Sequence, residues 1–232
     1  MALTKVIGSG VQGISNSSDA TAMTIGSDEV VDFASNADFI DGRGIRLGAG
    51  NDFQLYHDGT DNHINVTGAQ TLNIQTSGNN AIVVDANGII SKPLQPAFLA
   101  HPSSTQSNIA VGSDITVLFA TEIFDQNADF NTANYTFTAP VTGRYQFNIV
   151  YYLENIDTDT GYYYIFFDTS NRNYFNIISP KFTADTDYLS LTLSVLVDMD
   201  ASDTALCKIR QSHGTSQTDI SGNSYFSGYL VA

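Results

Sequence analysis

The sequence predicts an all-β protein in two parts, an elongated arm of short β-repeats followed by a β-sandwich. Three observations carry this. Apolar and polar residues alternate with period two in several runs, and no stretch sustains a helical period. Asp-Gly at 41–42 and 58–59 and Asn-Gly at 87–88, dipeptides that accept the positive φ of tight turns, punctuate the first part. Of 14 Phe and 12 Tyr, only Phe33, Phe39, Phe53 and Tyr56 precede residue 93, which places a large apolar core in the C-terminal part of the chain.

Residues 1–20 open with MALTKVIGSGVQGI, which lacks the apolar stretch and cleavage pattern of a signal peptide. Leu3, Val6, Ile7, Val11 and Ile14 are poorly placed in water, so the segment is either a frayed terminus or a docking segment. The arm spans 21–92. Its pieces AMTI, VVDF, GIRL, FQLYH, HINV, LNI and AIVV are bounded by Gly, Asn, Asp or Ser, the pattern of strand-turn-strand architecture. They are too short and polar to fold alone, because one chain buries little apolar surface against its conformational entropy. Three copies around an axis would bury Leu47, Leu55, Ile64, Leu72, Ile74, Ile82 and Val84 together, giving a trimeric, β-prism-like arm. His57 and Asp58 are adjacent, but neighbours on a strand face opposite ways. Asp58 before Gly59 therefore reads as a turn residue rather than half of a catalytic or metal pair.

Pro93 and Pro96, followed by Pro102, mark a stiff connector at 93–96, since proline lacks an amide donor and restrains its predecessor to extended backbone. The sandwich then occupies 97–232. Strands are expected from Phe98, at Asp114–Phe119, Tyr135–Phe137, Arg144–Leu153, Tyr162–Asp168, Tyr174–Ile178, Tyr188–Val197, Ala205–Gln211 and Ser224–Val231. The pair of runs flanking Pro140-Val141-Thr142-Gly143 has the look of a hairpin. In the run from Tyr188, Leu189, Leu191, Leu193, Val195 and Val197 share one face, and Leu196 interrupts the polar one. No helix and about nine or ten strands give a sandwich.

The formal net charge of −15 and the scattered Lys and Arg exclude nucleic acid and anionic membranes as partners, and no run is long enough for a membrane helix. Cys207 is the single cysteine and reads as a small core residue. The histidines, His57, His63, His101 and His213, show no zinc spacing, and no nucleophile elbow, phosphate loop or dinucleotide fingerprint occurs. The expectation is therefore no catalytic residue, no cofactor and no metal. Asn155–Gly161 looks like the first half of a calcium loop around Asp157 and Asp159 but lacks the later glutamate, so a solvated acidic turn is preferred. Pro140 and Gly143 are read as turn residues, and Tyr162-Tyr163-Tyr164 as either a ligand platform or a strand between the core and a neighbouring subunit.

Three separated stretches in order, PAFLAH, TFTAPVTGRYQFN and SYFSGYLVA, resemble the C1q-like domain family. That resemblance implies a jelly roll of the tumour-necrosis-factor type assembled as a homotrimer. It marks Phe137, Pro140, Gly143, Tyr145, Phe147, Tyr163, Phe226, Gly228 and Tyr229 as fold-motif and trimer-packing residues. The sequence departs from the family at Ser202-Asp203, where Gly-Asp is usual, and it has no collagen-like repeat. MALTKV resembles the opening of phage tail-fibre proteins, and the stretch around Tyr56-His57-Asp58-Gly59 resembles a repeat of phage and cyanophage structural proteins. Together these imply a virion component, a tail fibre or a tail or baseplate appendage. It would be made in the host cytoplasm and docked through Leu3, Val6, Ile7 and Val11 onto other tail or baseplate proteins. Its head would bind a host cell-surface glycan or protein. A glycan depolymerase and a secreted C1q-like lectin are the alternatives.

Overall fold

The computed structural model describes Met23–Ile25, Val31–Phe33 and residues 36–232; Leu3, Val6, Ile7 and Val11, the residues expected to dock, lie outside the described residues. All assigned structure is β, and every pairing is antiparallel. No described helix is long and apolar enough to cross a membrane. The chain divides into two compact units, Met1–Gln70 and Thr71–Ala232.

In the first unit β1 (Met23–Ile25) pairs with β2 (Val31–Phe33), and β3 (Gly44–Leu47), β4 (Phe53–His57) and β5 (Asn62–Val66) form a separate meander. The second unit begins with another meander, β6 (Leu72–Thr76), β7 (Asn79–Val84) and β8 (Ile90–Ser91). These are the pieces the sequence marks out. Gly42, Gly59 and Gly88 all take positive φ at 73°, 105° and 80°, the backbone their Asx-Gly dipeptides were expected to supply.

The rest of the second unit is a sandwich of two six-stranded sheets. One runs β11 (Thr121–Asp125), β9 (Ala97–His101), β20 (Tyr225–Leu230), β14 (Gly143–Ile156) and β17 (Thr186–Met199), with β19 (Asp219–Ile220) also on β14. The other runs β12 (Phe130–Asn131), β13 (Thr136–Thr138), β18 (Thr204–Ser212), β15 (Tyr162–Thr169) and β16 (Asn173–Ile178), with β10 (Ile115–Thr116) on β18. The chain passes repeatedly from one sheet to the other, the topology of a jelly roll. Residues of β14 alternate buried and open along its length: Tyr145, Phe147, Ile149, Tyr151 and Leu153 enter the core. Facing them on β17, Leu191, Val197 and Met199 are buried, and Leu196 stands on the open face as expected.

The runs around Pro140 do not form a hairpin. β13 pairs with β12 and β18, and β14 with β17 and β20, so the turn carries the chain between sheets. Alternation reports that two strands flank a turn, not that they pair. Tyr145 ties this crossover down by donating its hydroxyl hydrogen bond to the Val141 carbonyl at 2.7 Å. Gly143 is not a left-handed turn residue either. A Cβ there would stand 2.7 Å from the Ala232 carbonyl oxygen and 2.8 Å from Leu230 Cδ1, so close chain approach excludes a side chain. The lead-in strand starts at Thr136 because Tyr135 sits at φ 61°.

Asp114–Phe119 is strand only over Ile115–Thr116. Beyond it Phe119 N–H bonds the Val117 carbonyl and Ala120 N–H the Leu118 carbonyl, consecutive tight turns that leave the ladder. Val117 and Phe119 are nonetheless buried, so the apolar alternation reads burial correctly and strand incorrectly. β11, with its register shift between Glu122 and Phe124, and the two-residue β12 and β19 carry no periodic signal long enough to find.

Three long-separated strands meet at Gly228. Phe98 of β9, Phe147 of β14 and Phe226 of β20 pack together, with centroids 4.8 Å apart for Phe98–Phe226 and 5.6 Å for Phe147–Phe226. A Cβ on Gly228 would lie 2.4 Å from Phe147 Cδ1 and 2.8 Å from Phe98 Cε1. Gly228→Ala is expected to lower unfolding free energy by about 1–3 kcal/mol, read as a shifted urea midpoint. An unchanged midpoint would show that the rings move aside without cost. At the β17–β18 turn Ser202 has φ 76°. Ser202→Gly, which restores the family residue, should raise stability by roughly 0.5–1 kcal/mol through relief of left-handed strain; calorimetry showing a lower melting temperature would contradict this.

Candidate functional site

β14 has 14 residues and at about 3.3 Å each spans roughly 45 Å, so the sandwich has two well-separated ends. The Pro93–Pro96 connector meets one end, where Gln126 Nε2 donates to the carbonyls of Lys92 (2.8 Å) and Gln95 (2.7 Å). The opposite, distal end gathers the loops 102–114, 157–161, 179–185 and 213–218.

A carboxylate and a carboxamide organise these loops. Asp157 Oδ1 accepts the Asp159 N–H at 2.8 Å, and its Oδ2 accepts those of Thr215 (2.6 Å) and Ser216 (2.7 Å). These donors, the Asp159 N–H foremost, hold the Asp157 carboxyl below the usual carboxylate range. Gln211, fully buried on β18, donates from Nε2 to the Ser216 carbonyl (2.9 Å) and the His213 carbonyl (3.2 Å). Its Oε1 accepts the Thr218 N–H at 2.9 Å, and the Thr218 hydroxyl shares a 2.6 Å hydrogen bond with Tyr163. Gly214, at φ 94°, leaves room for both organisers: a Cβ there would lie 3.1 Å from Asp157 Oδ2 and from Gln211 Nε2. Thr158 N–H reaches Asp185 at 2.9 Å, and Asp219 takes the Asn108 N–H at 2.6 Å and Asn155 Nδ2 at 2.9 Å. All four loops are therefore tied by hydrogen bonds, and Ile109 and Phe182 also anchor two of them on the apolar core.

Between two of these loops lies an open cleft of about 220 Å³, lined by Asn155, Asp157, Asp185, Asp187 and Ser216. It is acidic, and both oxygens of its Asp157 carboxylate are already taken by backbone donors. Among the described residues no group of three His, Cys, Asp or Glu side chains is placed to hold a metal. The Asp157 carboxylate of this half-loop serves as a loop staple. Asp198 and Asp203 have similar duties: Asp198 accepts the Tyr174 hydroxyl at 2.8 Å, and Asp203 accepts the Asp200 N–H at 2.7 Å and the Ser170 hydroxyl at 2.8 Å.

The residues marked by motif fall into two groups. Phe137, Tyr145, Phe147, Tyr163 and Phe226 are each no more than 1% exposed, inside this chain's own core, and Gly228 is buried with them. They build the core of this chain. Tyr229 is 47% exposed on the outer face of the β9–β20–β14–β17 sheet, while Pro140 is exposed at the connector end. Around Tyr229 the same face presents Tyr188, Leu196 and Tyr225, bordering a neutral network in which Gln146 Nε2 donates to Ser194 and Ser194 to Asn148. Of the tyrosine run, Tyr162 and Tyr164 lie half-buried on the face opposite Tyr163. Cys207 is fully buried, and burial pushes its thiol pKa well up, so it is a packing residue. Gln211 was not singled out by sequence, yet a signal existed: it continues the inward series Ala205, Cys207, Ile209 of β18 as a polar residue in an apolar position.

Residues 97–231 match the family described as the C1q domain. The chain belongs to the C1q family. Among solved structures it is similar to the globular domain of zebrafish complement 1qA protein, with 17% identity, a TM-score of 0.45, and coverage of 60% of this chain and 98% of that one. It is also similar to murine APRIL at pH 8.5, with 11% identity, a TM-score of 0.43, and coverage of 59% and 99%. The PRD1 vertex protein P5 is 14% identical, with a TM-score of 0.49 and coverage of 68% and 86%. No curated protein matches.

In this C1q sandwich the distal staple has a defined acid response. The folded pKa of Asp157 is depressed, so its contribution is complete above the ordinary aspartate value of about 3.9 and is lost as pH falls through the folded value. Protection of the Thr215 and Ser216 amides, relative to their intrinsic exchange at each pH, should hold from pH 7 down to about 4 and fall at lower pH. Asp157→Asn should weaken that protection at pH 7 and flatten its pH dependence, whereas a variant with wild-type protection would remove Asp157 from the role.

Proposed function

We propose that this protein is a non-enzymatic virion component, a phage tail fibre or a tail or baseplate appendage. It works as a homotrimer whose C1q head binds a host cell-surface glycan or protein. The observation that carries this reading is the distal end of the head. Four loops are tied by the carboxylates of Asp157, Asp185 and Asp219 and the carboxamide of Gln211 into a preformed surface, about 45 Å from where the connector joins. Binding and catalytic groups concentrate on loops held by a rigid scaffold, and a preorganised loop loses less entropy on contact. The polar groups of this end serve mainly to hold backbone, which suits recognition better than bond cleavage.

Assembly of identical chains is supported by the open face bearing Tyr188, Leu196, Tyr225 and Tyr229, a concentration of aromatic and aliphatic surface beside uncharged polar groups. Three heads acting together raise weak single-site binding through avidity. The virion assignment is supported by the resemblance of the Tyr56-His57-Asp58-Gly59 stretch to phage structural repeats and of MALTKV to tail-fibre openings. On this reading Leu3, Val6, Ile7 and Val11 contact other tail proteins.

Purified particles of the phage encoding the chain should contain it, and antibody against residues 97–232 should label the tail and block adsorption. Asp185→Lys combined with Asp187→Lys, which reverses charge in the distal cleft, should cut adsorption of the isolated protein at least several-fold without changing its sedimentation. Absence from particles would defeat the virion assignment. Adsorption insensitive to the distal substitutions would defeat the placement of the binding surface. Reducing ends released from host capsule would favour a depolymerase instead.

A further inference from the structure

β18, β15 and β16 carry a second tier of aromatic side chains, on the side of their sheet that faces away from the core. The register lays Lys208 beside Phe166 and Phe166 beside Phe175, and Arg210 beside Tyr164 and Tyr164 beside Ile177. Paired antiparallel residues project to one face, so these two rows share a side. The alternate rows, Cys207 with Phe167 and Ile209 with Ile165, enter the core. Phe166 is only 2% exposed although it belongs to the outer side. Its ring lies against Tyr164 at a centroid distance of 4.7 Å, and Tyr164 meets Phe175 at 5.2 Å. The tier is held in place from within, while Phe175 and Ile177 remain 57% and 51% exposed.

Two ion pairs stand in and beside these rows. Lys208 Nζ donates to Asp168 Oδ2, and Arg210 Nε donates to Asp114 Oδ1 at 2.7 Å. All four side chains stay partly open. An ammonium has three donors, a guanidinium five and a carboxylate two acceptor oxygens, so each pair keeps further donors and acceptors for a ligand. Pairing fixes their positions and leaves the two cations and two carboxylates with no net charge, within a chain of formal net charge −15. Burial, and after it Asp114, raises the pKa of the Tyr164 hydroxyl, which therefore keeps its proton to donate at neutral pH.

We propose that this face is a second binding surface of the head, a platform for the uncharged pyranose rings of a host-surface glycan. A pyranose has C–H groups on its faces and hydroxyls around its rim, and each hydroxyl both donates and accepts. The platform mirrors that layout. Aromatic faces, which are negative and attract C–H groups, lie in the middle, and mixed donors and acceptors lie around them. Charge decides among occupants. An acidic glycan would meet Asp114 and Asp168 as well as the net charge of the chain. A protein partner needs about 800 Å² with a core depleted of charge, whereas here Lys208 and Arg210 share rows with the rings. The face lies on the sheet opposite the one bearing Tyr188, Leu196, Tyr225 and Tyr229, so the assembly proposed above leaves it open. The inference rests on the reading that the head binds host surfaces, but not on the placement of that binding at the distal loops.

The test is binding of the full chain to an array of immobilised neutral hexose and N-acetylhexosamine oligosaccharides, with sulfated oligosaccharides, uronic-acid oligosaccharides and host surface proteins as further arms. Neutral oligosaccharides should be bound and acidic ones should not. Phe175→Ala should weaken that binding by about tenfold, the loss of one aromatic contact. Phe175→Leu, which keeps apolar cover but no ring, should give the same loss with an unchanged melting temperature. Lys208→Met combined with Asp168→Asn should weaken binding several-fold by removing rim partners. Capture of no neutral oligosaccharide, preference for acidic ones, capture by the protein spots alone, or neutral binding that survives Phe175→Leu overturns the proposal. The Asp185→Lys, Asp187→Lys variant separates the two surfaces. If it abolishes neutral binding while Phe175→Leu does not, the sugar belongs to the distal cleft and only the platform falls. If Phe175→Leu abolishes array binding and cell adsorption ignores the distal substitutions, the platform stands and only the distal placement falls.

Discussion

The sandwich depends on one packing event, the closure of Phe98, Phe147 and Phe226 over a glycine. β9, β20 and β14 are neighbours in one sheet, and only a residue without a side chain at Gly228 lets the Phe147 ring lie where a Cβ would be. Phe137 reaches the same cluster from the opposite sheet, 5.2 Å from Phe98 and 5.3 Å from Phe147. The three sequence stretches that resemble the C1q-like family are therefore not three separate signatures. They are the walls of one aromatic cluster, in which the last stretch, β20, lies between the first two, β9 and β14.

The two ends of the sandwich are secured by different chemistry. At the connector end the backbone of β14 and β20 is crowded: Arg144 N–H bonds the Ala232 carbonyl, Leu230 N–H bonds the Pro96 carbonyl, and Gly143 has no space for a side chain. At the distal end Asp157 and Gln211 hold backbone beside the core residues Ile109, Ile156 and Ile220. Buried polar groups that are fully satisfied specify a unique arrangement more sharply than apolar contacts do, because each misplacement leaves an unpaired group. None of the buried side-chain polar atoms among the described residues lacks a partner. Precision is thus concentrated where loops would otherwise wander.

Much of this architecture was legible in the sequence, and the gaps have physical causes. The alternation along β14 and β17 announced both strands and both faces, because a half-buried strand imposes period two on its side chains. The Asx-Gly dipeptides located the arm turns through their demand for positive φ. Pairing was not legible at Pro140, since periodicity belongs to one strand while pairing belongs to two. The pleat near Val117 was overread because tight turns can bury alternate residues as a strand does. Gly143 and Gly228 needed the positions of Ala232 and Phe147, which no local pattern contains. Asp157 was visible as a loop carboxylate, but its donors at Thr215 and Ser216 are more than fifty residues away along the chain.

The adjacency of β9 and β20 also has a consequence in time. Phe98 lies near the start of the sandwich and its partner Phe226 near residue 232, about 130 residues later. At a synthesis rate of roughly 5–20 residues per second, β9 waits for β20 for on the order of ten seconds. During that interval the first sheet has an open slot beside β14, and the aromatic cluster lacks a wall. The aromatic cluster therefore closes only once Phe226 is free of the ribosome.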